Sequence, residues 1–205
     1  MVDKAVIDAE SAQAPTADGD YIVTFTGKPF YFNTPEKSEI DIEDIAHALS
    51  NNSRFCGHTV KRYSVAEHSI LVEELVSRIT DEPITRLMAL LHDASEAYLS
   101  DMATPIKRKI DLYGELEDRI QNEIYWRFGI KVSDILVDKD IVKAADNLAF
   151  INEVQQLMGN NPLFKLQDIE LPDTKKVTIR CLSEKHCKQL FINKYNYLKH
   201  LLNNI

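Results

Sequence analysis

Apolar positions recur with helical spacing along most of the chain. In "IDIEDIAHAL", Ile42, Ile45, Ala46 and Leu49 follow one another at intervals of three and four, behind acidic residues that suit a helix start. "SVAEHSILVEELVSRIT" predicts a second helix, with Ser64 as its N-cap and Glu67 three residues on, the spacing of a capping box. A third runs through "EPITRLMALLHDASEAYLSD", where Pro83 is tolerated in the first turn. A fourth, "YGELEDRIQNEIYWRFGI", is closed by Gly129, with Tyr125, Trp126 and Phe128 spaced for core packing. "SDILVDKDIVKAADNLAFINEVQQLMG" reads as a short helix and then a long one ending near Gly159, and "EKHCKQLFINKYNYLKHLL" as a last amphipathic helix.

Three stretches break that period. "YIVTFTGKPFYF" places two aromatic and β-branched runs around "TGKP", a short hairpin. "RFCGHTVKRYS", Arg54 to Ser64, reads as a loop, and "NNPLFKLQDIELPD" as a connection. The fold class is therefore all-α, a helical bundle with a small β-hairpin near the N-terminus. Residues 1–19, rich in Ala, Asp, Ser and Pro, read as a flexible arm, and 20–205 as a single domain.

Composition narrows the setting. With 44% hydrophobic and 27% charged residues the chain is ordinary for a soluble globular protein. No run approaches a membrane span, and the N-terminus lacks the apolar stretch of a secretory signal. Cys56, Cys181 and Cys187 are odd in number and lack CxxC spacing, which points to a reducing cytoplasm. A net charge of −8 opposes binding to long nucleic acids, yet leaves room for a small phosphorylated ligand held by one or two local cations.

Four polar residues interrupt the apolar faces. His68 shares its helix stripe with Leu71, Val72, Leu75 and Val76. His92 lies four residues after Met88, with Asp93 beside it, and Asp146 has Val142 four before and Ala149 and Phe150 just after. A lone inward histidine is usually a hydrogen-bonded core residue. Two imidazoles and two carboxylates from three helices have a common explanation in one divalent metal, which offsets the cost of burying them. A mixed nitrogen and oxygen set suits Mn, Co, Fe, Ni or Zn.

"YSVAEHS", "LLHDASEAYLSDMATP" and "KAADNL" together resemble the HD-domain phosphohydrolases, which use the order His, His-Asp, Asp. The resemblance spans Arg54 to Met158 and is nearest to the bacterial 5'-deoxynucleotidase branch and bacteriophage relatives that remove triphosphate from dATP. It implies His68, His92, Asp93 and Asp146 as ligands of one divalent ion (Co, Mn, Zn, Ni, Fe or Mg). Glu96 would assist proton transfer, and Asp101 and Thr104 would line a nucleotide pocket. Arg54 would bind the phosphate and Phe55 would pack on the nucleoside, while Lys107 and Arg108 would either extend the phosphate clamp or form a solvated helix face. Ala103 replaces a family proline, and Phe55 a tryptophan that helps exclude a ribose 2'-hydroxyl.

The function this implies is metal-dependent release of phosphate or polyphosphate from the 5' position of a (deoxy)nucleotide, by a 5'-deoxynucleotidase or a dNTP triphosphohydrolase. Its partner is a small nucleotide, and relatives of this kind imply a homo-oligomer. The alternatives are a cyclic-nucleotide or guanosine-tetraphosphate hydrolase and a non-catalytic nucleotide-binding protein. His58 and Glu67 flank the site in sequence and are expected behind the ligands.

Overall fold

A computed structural model describes residues 21–159 and 169–204. The expected N-terminal arm and positions 160–168 of the connection lie outside the described residues. Strands β1 (Tyr21–Val23) and β2 (Pro29–Tyr31) pair antiparallel, Tyr21 opposite Tyr31. Gly27, at φ +84°, turns the hairpin through a conformation that costs glycine least. Phe30 is fully buried and stacks on Tyr98 at 3.6 Å between centroids, fixing the hairpin to the bundle.

Eight α-helices follow among the described residues: α1 (Ile42–Asn51), α2 (Val65–Val76), α3 (Pro83–Leu90), α4 (Glu96–Leu99), α5 (Thr104–Lys107), α6 (Tyr113–Arg127), α7 (Val132–Leu157) and α8 (Glu184–Leu202). Helix α2 is the axis of the core, with every residue but Glu74 buried, and it packs against α1, α3, α7 and α8. Among the described residues no helix is long and apolar enough to cross a membrane.

Three sequence expectations are corrected. The segment read as one helix from Pro83 onward breaks at Leu91 into α3, a tight turn and α4. Tertiary hydrogen bonds take over the helical ones there. His92 Nδ1 takes the Ala89 carbonyl at 2.8 Å, while Gln121 of α6 accepts from the Ser95 N–H and donates to the Leu91 carbonyl. The expected pair of helices before Gly159 is a single one, α7. No Gly or Pro interrupts it, and Asp134 accepts the Lys131 N–H at its start. Trp126 is 68% exposed and lies outside the core that holds Tyr125 and Phe128. The predicted end of α6 holds, with Gly129 at φ +85° and Ile130 N–H bonded to the Tyr125 carbonyl.

Candidate metal centre

Helix α2 supplies His68, the turn after α3 supplies His92 and Asp93, and α7 supplies Asp146. The two imidazole Nε2 atoms stand 3.2 Å apart. Asp146 Oδ1 is 3.3 Å from His68 Nε2 and 4.0 Å from His92 Nε2. One donor atom each from His68, His92 and Asp146 falls within a 4.8 Å group. Asp93 Oδ2 faces the same two nitrogens at 3.4 and 3.2 Å. Ligand bonds near 2.1 Å put neighbouring donors about 3.0 Å apart in octahedral and about 3.4 Å apart in tetrahedral geometry. The separations among His68, His92 and Asp146 fit one divalent ion, and Asp93 falls outside that group.

Both rings are oriented from behind. His92 Nδ1–H donates to the Ala89 carbonyl, leaving Nε2 as the donor atom toward the centre. His68 is fully buried, and its Nδ1 meets Glu153 Oε1 at 2.5 Å. Glu153, itself fully buried, also accepts from Tyr63 Oη at 3.0 Å and from Arg54 Nε at 3.2 Å and Nη2 at 3.1 Å. Burial and Arg54 press the His68 pKa down, but Glu153 and Asp146 outweigh them and raise it to about 9. A cation entering here displaces a proton. Burial works against the charged forms of Asp93 and Asp146, yet the facing imidazoles hold both below the ordinary carboxylate range.

Glu153 and Gln121 escaped the sequence reading. Glu153 lies seven residues after Asp146, two turns along the same face of α7, and that spacing is the signal that could have found it. Nothing local marks Gln121, whose role depends on how α6 crosses the turn. Glu67 is placed otherwise than expected. The Ser64 hydroxyl accepts the Glu67 N–H, but the Glu67 carboxylate does not return to the cap. It accepts the N–H groups of Arg180, Cys181 and Leu182 at 3.1, 2.9 and 2.7 Å, anchoring the chain before α8. His58 is exposed, as is Arg108, and neither lines the site.

A cavity of about 630 Å³ opens beside the centre. Asp93, Asp146, Glu96, Asp101, Thr104, Lys107, Arg54 and Phe55 all line it, so every cavity residue named from sequence converges there. Lys143, Asn147 and Phe150 of α7 form a further wall. The loop carrying Arg54 and Phe55 is closed by a bridge between Ser53 and Ser64 and begins with a 3-10 turn, Arg54–Gly57. Phe55 and Cys56 there have φ of +56° and +52°, a region where side chains are strained and which is often found at binding sites.

The fork of Arg54 is partly committed. Its Nε and Nη2 edge is taken by Glu153, and Nη1 points toward Asp93 Oδ2 at 3.6 Å. Lys107 binds Glu117 at 2.5 Å and reaches Glu96 Oε1 at 3.4 Å. Glu96 is 5% exposed, and its Oε2 has no hydrogen-bond partner among the described residues. Burial, reinforced by Asp93 and Asp101 and offset in part by Lys107 and Arg54, pushes its pKa up to about 9. A carboxyl raised in this way can give a proton.

A helical bundle that gathers imidazoles and carboxylates at the edge of an open cavity is built for metal-assisted hydrolysis. The family model described as HD domain matches residues 65–151. The chain is 34% identical to the uncharacterized protein YfdR of Escherichia coli K12 over 181 residues, covering 88% of this chain and 97% of that protein. It is 44% identical to an uncharacterized protein of Rhodobacter capsulatus over 130 residues, covering 61% of this chain and 66% of the relative. The chain belongs to the HD-domain family, and its general chemistry is that of a metal-dependent phosphohydrolase.

Proposed function

We propose that the protein hydrolyses the 5'-phosphate ester of a (deoxy)nucleotide, and that it favours monophosphates over triphosphates. The observation that carries this reading is that Asp93, Asp146, Glu96 and Arg54 all line one cavity. His68, His92, Asp93 and Asp146 would hold a divalent ion, which would supply Lewis acidity toward a phosphate oxygen and a water whose pKa is lowered from 15.7 toward about 7. Arg54 Nη1 gives one charge-assisted hydrogen bond to the phosphate, since its other edge is fixed on Glu153. Glu96 donates its proton to the leaving 5' oxygen as the phosphorus–oxygen bond breaks, and the proton lost by the attacking water restores it. Asp101 and Thr104, which line the same cavity, would face the sugar.

The preference for monophosphates rests on charge. The cations lining the cavity among the described residues are Arg54, Lys107 and Lys143, and each already faces a carboxylate. Little positive charge is left for a polyphosphate tail.

The test is a panel of mono-, di- and triphosphates of ribo- and deoxynucleosides, with cyclic nucleotides and guanosine tetraphosphate included. It is run with Mn, Co, Mg and Zn, and products are separated by chromatography. Phosphate release from 5'-monophosphates, abolished by EDTA and by Asp146→Ala, is the expected result. Undiminished turnover in the Asp146→Ala protein sinks the reading. Triphosphate release with monophosphates untouched overturns the preference alone.

A further inference from the structure

A second, smaller cavity of about 220 Å³ adjoins the first. Helix α7 borders both. Asn147 and Phe150 line only the larger one, Ile135, Lys139 and Val142 only the smaller. Asp93, Lys143 and Asp146 line the two together, so the metal centre lies at their boundary. Met88 of α3, His92 of the turn and Tyr125 of α6 complete the smaller cavity. Met88, Tyr125 and Val142 are buried and Ile135 packs on the same core, so this is an apolar recess in the bundle. Arg54 and Glu96 do not line it, and the proposed hydrolysis makes no use of it.

Its charged groups are unequally matched. Lys143 holds Asp146 at 2.7 Å, and Asp93 faces two imidazoles and Arg54. Lys139 makes no ion pair or side-chain hydrogen bond among the described residues. The positions three and four away from it on α7 are Ile135, Leu136, Val142 and Lys143, so no acid of its own helix lies beside it. One positive charge at an apolar recess is left uncompensated.

We propose that the smaller cavity binds a small organic monoanion, a carboxylate with a compact apolar body, through Lys139, and that its occupancy tightens the hold on the divalent cation. The space equals about seven waters at about 30 Å³ each. It falls below the roughly 300–1,000 Å³ of sites for drug-sized ligands, so the body has the size of one ring or a short chain. A single free ammonium matches a single negative charge. A phosphate dianion would press its second charge against apolar walls, and an uncharged hydrocarbon would leave Lys139 unused. Contact with Met88, Tyr125, Ile135 and Val142 supplies affinity, and Lys139 sets the sign of the ligand. The anion adds negative charge and expels water beside His92, Asp93 and Asp146. Both effects favour a cation among them, and by linkage the cation favours the anion equally.

The test uses benzoate as the probe, with acetate as charge without body and benzyl alcohol as body without charge. Each is titrated by calorimetry into the full chain loaded with Mn and into the same chain treated with EDTA. Acetylation of Lys139 by acetic anhydride, followed by peptide mass, reports where the probe sits. Benzoate is expected to bind the Mn-loaded protein at least about tenfold more tightly than either control, and to slow acetylation of Lys139. Its affinity should fall severalfold after EDTA. Lys139→Ala, at an exposed position, should weaken benzoate by about tenfold, while Lys139→Arg retains it. Equal binding of benzoate and acetate overturns the proposal, as does full benzoate affinity in Lys139→Ala, which would place the carboxylate on the cation instead. Equal benzoate affinity with and without Mn overturns the coupling. None of these readouts uses turnover, so the site and the hydrolase reading stand or fall separately.

Discussion

Two sides of α2 bury carboxylates in opposite ways. Toward α8, Glu73 is fully buried between Arg86 and Lys194, at 2.6 and 2.5 Å, and Glu67 is satisfied by three backbone N–H groups. Toward the cavity, Glu96 is nearly as buried but keeps an oxygen without a partner. Asp93 and Asp146 face imidazoles whose remaining valence points at a common centre. Burial is the same on both sides, so burial does not mark function. Incomplete pairing does, because a fold tolerates an unsatisfied buried acid only where a ligand or a reaction completes it.

The contrast is broken most directly by removing one acid from each side. Glu96→Gln is expected to lower kcat by about 10²- to 10⁴-fold while leaving the melting temperature unchanged or higher, because the amide matches the neutral acid in shape without its tendency to ionise. Glu73→Ala should do the reverse. Stranding Arg86 and Lys194 costs about 3–5 kcal/mol of stability, read as a large fall in melting temperature, while the remaining folded protein keeps its metal affinity. Loss of stability in Glu96→Gln as great as in Glu73→Ala would falsify the distinction.

A pH series sharpens it next. His68 in the folded protein holds its proton up to about pH 9, against about 6.5 when unfolded. Its contribution to stability is therefore complete below pH 6.5 and lost as pH rises to 9. Glu96, neutral in the folded protein up to about 9, has the same sign, its contribution fading upward from about 4.5. Protein stripped with EDTA should thus lose on the order of 3 kcal/mol per group between pH 6.5 and 9, seen in thermal unfolding. Metal-loaded protein should show a shallower slope, because a cation has replaced the His68 proton. The smallest effect is that of Glu153→Gln, a change behind the ligands. Metal affinity should fall about 10- to 100-fold by titration calorimetry, with the fold retained.

The helical faces, the hairpin and the grouping of His68, His92 and Asp146 were legible because each rests on a local pattern, a period or a motif. What was hidden depends on contacts between elements distant in sequence. No residue between Leu90 and Ser95 is a helix breaker, and the chain turns there because His92 and Gln121 capture the carbonyls that would continue the helix. Glu67 satisfied the spacing of a capping box, yet its carboxylate found three N–H groups more than a hundred residues away. Arg54 had the right chemistry for a phosphate, but half of its fork was already engaged by Glu153, which sequence reading did not connect with it. The Phe55 and Phe150 pair, nearly a hundred residues apart, has no local signature at all.

The unbroken run of α7 from Val132 to Leu157 acts as a ruler. Cation, metal ligand, amide, aromatic ring and the anchor of His68 are fixed along one stiff rod, so their separations come in steps of a helical turn and cannot drift with loop motion. A ligand of a different length would have to be met by exchanging side chains at set rungs.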